Sequence, residues 1–89
     1  MLFIEITVSN SSRELYNKAF YEAFDLNEGT DLSELEYQSI DEWDSIGHMT
    51  LMSELEDNFD ITISTEDLIQ FESYKQGTEI LERYSVKIS

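Results

Sequence analysis

Between residues 19 and 74 the chain has no lysine or arginine, yet that stretch holds 16 of its 20 acidic residues. The five basic residues, Arg13, Lys18, Lys75, Arg83 and Lys87, all lie outside it, and the formal net charge is -15. A surface of one sign repels nucleic acid and anionic lipid and steers basic partners toward itself. It also limits folding, because an acidic chain collapses only if it buries enough apolar surface. Five Phe, five Tyr and one Trp, spaced at helical intervals, supply that surface. A folded domain is expected.

With 89 residues there is room for one domain and a modest core. The chain has no cysteine, which excludes disulfide staples and thiolate metal sites, and the lone His48 argues against a zinc site. Paired acids such as Glu54 and Asp57 lack the Gly-centred loop of an EF-hand, so no metal site is expected. Apolar runs are short, and neither a membrane span nor a cleavable leader is visible. These features predict a soluble, cytoplasmic monomer.

The periodicity predicts an all-α fold of four helices. The first runs from about Ser11 to Phe24, where Ser11 and Glu14 have capping-box spacing. Leu15, Ala19, Phe20 and Ala23 form its inner stripe. Residues 25–43 are rich in turn formers and give a long loop, with Leu32, Leu35, Tyr37 and Ile40 as anchors that lay it across the helices. The second helix begins at Asp44 or Ser45 and reaches about Asn58. At 100° per residue, Leu51, Met52, Leu55 and Phe59 share one sector of it. Ile46 and Met49 fall on the opposite side, among Glu54, Glu56, Asp57 and Asp60. Ser64 caps a short third helix from Thr65 to Phe71. The fourth follows Ser73, with Gln76 repeating the capping-box spacing and Gly77 pointing to a close helix–helix approach. Ile4, Ile6 and Val8 alternate like a strand with no partner, so residues 1–10 read as an extended or poorly ordered tail. Residues 11–85 are the domain and 86–89 a C-terminal tail.

Ser45 stands at a helix start, near unpaired backbone N–H groups and the positive end of the dipole, where a phosphodiester is well placed. Spacing alone favours the reading that Ser45 or Asp44 is only a helix cap. Ser45 and His48 do not make a hydrolase, since the order is wrong and no Gly-x-Ser-x-Gly elbow is present. Trp43 and His48 read as packing residues.

The segment Trp43-Asp44-Ser45-Ile46-Gly47-His48, followed by Leu55-Glu56-Asp57-Asn58-Phe59-Asp60-Ile61, resembles the acyl carrier protein family. Asp44-Ser45-Ile46 is similar to its Asp-Ser-Leu attachment motif, and the likeness extends in outline from about residue 12 to 84. The resemblance implies a four-helix carrier bundle that is not itself an enzyme. It implies a 4'-phosphopantetheine arm added to Ser45 from coenzyme A by a separate phosphopantetheinyl transferase. The arm's thiol would then carry acyl or aminoacyl groups as thioesters. Asp44 would be the motif acid. Ile46, Met49, Glu54, Glu56, Asp57 and Asp60 would dock on basic patches of that transferase and of acyl-loading and acyl-transferring enzymes. Of these, Ile46, Met49, Glu56 and Asp57 are expected to be dispensable for folding. The Trp-Asp-Ser and Gly-His pairing resembles stand-alone carriers outside the main fatty-acid pathway, such as those of surface-polysaccharide or specialised-metabolite assembly, and the resemblance leaves fatty-acid, polyketide and surface-polysaccharide biosynthesis open as the pathway. The competing reading is an acidic helical interaction protein or inhibitor that docks on a basic partner without a prosthetic group.

Overall fold

The structure is a computed structural model and describes residues 11–88. The strand-like pattern at Ile4, Ile6 and Val8 lies outside the described residues. The described residues form four helices: α1 (Ser12–Phe24), α2 (Ser45–Phe59), α3 (Thr65–Gln70) and α4 (Tyr74–Glu82). None is long and apolar enough to cross a membrane.

Each helix starts where a side chain satisfies its first free N–H groups. Ser11 accepts from the Glu14 N–H while Glu14 accepts from the Ser11 N–H, completing the capping box. Ser64 caps α3 through the Asp67 N–H, and Ser73 caps α4 through the Gln76 N–H. The second capping box does not close. Gln76 reaches past Ser73 and accepts from the Glu72 N–H at 3.0 Å. α1 and α2 end on Asp25 and Asp60, both in the left-handed region with φ 54°. Acidic side chains that hydrogen-bond locally tolerate that conformation better than most residues.

The inner stripe of α1 differs from the expected one. Tyr16, Ala19, Phe20 and Phe24 are buried, while Leu15 and Ala23 are only half-buried. The stripe is rotated toward the aromatics because the one polar atom of Tyr16 is satisfied inside, donating to the Tyr74 carbonyl at 2.6 Å. Burial pushes its phenol far above the ordinary range. Phe20 is the hub, edge-on to Trp43 at 5.7 Å and to Tyr74 at 5.2 Å. Truncating such a core aromatic costs ~3–5 kcal/mol.

The long loop lies against the helices, as expected. Leu32 and Trp43 are buried in it, and Leu35, Tyr37 and Ile40 pack on the core. It is pinned by two backbone hydrogen bonds, Tyr37 N–H to Glu72 at 2.8 Å and Tyr74 N–H to Leu35 at 3.0 Å, around an antiparallel bridge between Glu36 and Ser73. The loop thereby ties the entry of α2 to the junction of α3 and α4.

Gly77 marks the expected close approach. A Cβ there would lie 2.2 Å from both the Phe71 ring and the Tyr16 hydroxyl. Residues 86–88, set apart as a tail by the sequence, instead close against the domain. Val86 and Ile88 pack on the core, and Ser12 Oγ donates to the Lys87 carbonyl at 2.6 Å.

Candidate functional site

The start of α2 resolves the ambiguity between Asp44 and Ser45. Asp44 is the N-cap, and its carboxylate accepts from the Gly47 N–H at 2.8 Å. Its carbonyl accepts from the His48 N–H, also at 2.8 Å. Ser45 is the first helical residue and is exposed. Its hydroxyl therefore has no capping duty. It lies 3.2 Å from the Tyr37 hydroxyl, which the loop carries in from the other side.

Two side chains expected to be structural are so. Trp43 is fully buried and His48 is 8 % exposed. Trp43 Nε1–H donates to His48 Nδ1 at 3.0 Å, and His48 Nε2 lies 2.8 Å from the Leu68 carbonyl. An indole N–H only donates and a carbonyl only accepts, so the hydrogen of the imidazole is on Nε2. This chain of two bonds ties the loop, α2 and α3 together beneath Ser45.

Beside Ser45 runs an open groove of about 350 Å³ between α2 and α3. Tyr37, Ser45, His48, Met49, Leu68, Ile69, Phe71 and Glu72 line it. Sequence reasoning missed Tyr37 and Ile69 here. Tyr37 sits in a segment without period, so only its apolar character was legible. Ile69 is 67 % exposed on a helix too short to display an amphipathic face.

The outer face of α2 divides in a way the helical wheel did not show. Ile46 and Met49 are 78 % and 55 % exposed, Ile46 next to Ser45 in sequence and Met49 lining the groove with Ser45 and the exposed Ile69. Asp57 is exposed, and Asp60, also exposed, serves as the C-cap. Glu56 is a correction. Its carboxylate accepts from the Ile63 N–H at 2.8 Å and ties α2 to the connection before α3, so its removal is expected to cost stability. Glu54 turns to the opposite flank, beside Glu22 and Lys18 of α1, away from the groove.

That flank makes a measurable prediction. Burial, then the hydrogen-bonded Glu22 carboxyl and the charges of Glu22 and Asp57, hold the Glu54 carboxyl above its ordinary range, while Lys18 lowers it. The folded state then binds the Glu54 proton more tightly than the unfolded chain does. Stability falls as pH rises from the unfolded value to the raised folded value. Glu54→Gln is expected to raise the melting temperature slightly near neutral pH and to have no effect below the carboxylate range. An equal effect at both pH values would place its origin elsewhere than charge.

Among the described residues no cluster of three or more His, Asp or Glu is placed to hold a metal ion. Fold and site together define a small helical domain that presents one serine hydroxyl, free of capping, beside an apolar groove and an acidic helix face. No protein-family model, curated protein or solved structure matches the chain.

Proposed function

We propose that the protein is an acyl carrier, holding acyl or aminoacyl groups as thioesters on a 4'-phosphopantetheine arm attached to Ser45. The observation that carries this reading is the division of labour at the start of α2: Asp44 caps the helix, which leaves the exposed Ser45 hydroxyl available for modification. The four helices with their long first loop fit the acyl-carrier arrangement.

The residues present suit such an arm. Ser45 Oγ would form the phosphodiester, with the first-turn N–H groups and positive helix end beside it. The neighbouring carboxylate of Asp44 opposes the phosphate charge, but both groups are solvent-exposed and screened. When bound, the arm supplies the thiol that a chain without cysteine lacks. The Tyr37 hydroxyl, within hydrogen-bond reach of Ser45 Oγ, is placed to steady the attachment point. No group of this chain is needed to activate the serine, because the transferase supplies that chemistry.

Incubation with coenzyme A and a broad-specificity phosphopantetheinyl transferase, followed by peptide mapping, tests the reading. One arm, on the peptide containing Ser45, is expected. Modification at another serine overturns the assignment.

In this reading Ile46, Met49 and Ile69 are the apolar contacts for partner enzymes, and Asp57 is a rim charge. Rim charges act mainly on encounter rate, and buried apolar anchors on dissociation. Asp57→Asn is therefore expected to slow transferase loading most at low salt. Met49→Ala should slow it at all salt concentrations, by about tenfold for a contact worth ~1–2 kcal/mol. Both variants should melt as wild type does. Wild-type loading rates for both across a salt series would remove this face from the docking surface. Glu56 is left out of the test because it anchors Ile63.

A further inference from the structure

The wall that closes the groove depends on one side chain. α3 has six residues, too few to persist alone, and its last carbonyls have no partner within the helix. One of them, on Leu68, is taken by His48 Nε2–H at 2.8 Å. The other ring nitrogen of His48 is held by Trp43, which is fully buried and packed 5.2 Å from the Phe24 ring. Drawing α3 away from α2 would break the bond to Leu68 and leave a nearly buried ring nitrogen, on a ring that Trp43 holds in place, without its partner. Leu51 and Leu55, on the inner stripe of α2, are fully buried, so a chain entering the core beside α2 would have to displace their neighbours.

We infer that His48 is a latch that sets the depth of the groove and thereby the cargo. Short acyl groups rest against Tyr37, Met49 and Ile69 at the surface, and long chains are not drawn between α2 and α3. The inference rests on Ser45 as the attachment point, and it names the size class of what is attached. His48 acts as a specificity-determining residue because the groove deepens only when its bond to Leu68 is lost.

The chain has no cysteine, so Ser45→Cys provides a single thiol at the rim of the groove. Ethyl and octyl methanethiosulfonate each form a mixed disulfide there and release methanesulfinate. The two adducts are expected to melt at the same temperature. The octyl group should shift the methyl resonances of Met49 and Ile69 and leave those of Leu51 and Leu55 in place. In Ser45→Cys, His48→Ala the unalkylated protein should melt several degrees lower, and octyl, unlike ethyl, should restore much of the loss by filling the vacated space. A higher melting temperature for octyl than for ethyl with His48 intact, or shifted Leu51 and Leu55 methyls, overturns the latch. If the double variant fails to fold, the first comparison decides alone. The reaction needs no transferase. A chain that cannot be loaded enzymatically therefore refutes the carrier reading, while an octyl group buried behind Leu68 refutes only the latch.

Discussion

Gly47→Ala is expected to lower the melting temperature by on the order of 10 °C, corresponding to a loss of about 2 kcal/mol in a domain of this size. A Cβ at Gly47 would lie 1.9 Å from the Glu42 carbonyl oxygen and 3.3 Å from the Phe24 ring. The first obstacle is backbone, so no rotamer change relieves it. Either the loop before Trp43 or the first turn of α2 must move. Overpacking of this kind costs ~1–3 kcal/mol, occasionally more. Replacing Gly by Ala in a helix returns up to ~1 kcal/mol. The clash wins because it displaces the buried Trp43 together with the cap at Asp44. A thermal melt followed by circular dichroism measures it. An unchanged or higher melting temperature would mean that the loop does not seat against α2.

The second large effect separates attachment from architecture. Ser45→Ala removes an exposed hydroxyl that lies 3.2 Å from the Tyr37 hydroxyl, so its melting temperature should change little. Its loading by the transferase should nevertheless fall to zero if, as proposed, Ser45 alone takes the arm. Asp44→Ala is the opposite case. Losing the N-cap leaves the Gly47 N–H without its acceptor and costs ~1 kcal/mol, while the Ser45 hydroxyl remains. If the two residues merely shared a capping role, both variants would melt lower and neither would differ sharply in loading.

How much of this was legible in the sequence depended on how local each signal was. The caps at Ser11, Ser64 and Ser73 involve residues three apart, and all three were readable. The exposure of Ile46 and Met49 followed from the helical period, because α2 is 15 residues long and its core stripe is well marked. The period did not choose between adjacent stripes on α1. That choice was made by Tyr74, 58 residues away, whose carbonyl accepts the Tyr16 hydroxyl. The same limit hid Glu56. On a wheel it sits among solvated acids, and only the path of the chain after Asp60 brings the Ile63 N–H to its carboxylate. The full lining of the groove was not legible, because Tyr37, Met49 and Ile69 come from three separate segments. The aromatic content announced a core, but the hydrogen bonds joining Trp43, His48 and Leu68 required the fold.

The central claim is that Ser45 carries a phosphopantetheine arm, and intact mass spectrometry tests it most directly. Wild type and Ser45→Ala are incubated side by side with coenzyme A and a broad-specificity phosphopantetheinyl transferase. Several unrelated carrier proteins in parallel prove the enzyme active. Wild type is expected to gain the mass of one phosphopantetheine and Ser45→Ala to gain none. A wild-type mass that stays unchanged while the controls are loaded, or a Ser45→Ala protein that gains the arm, would contradict it.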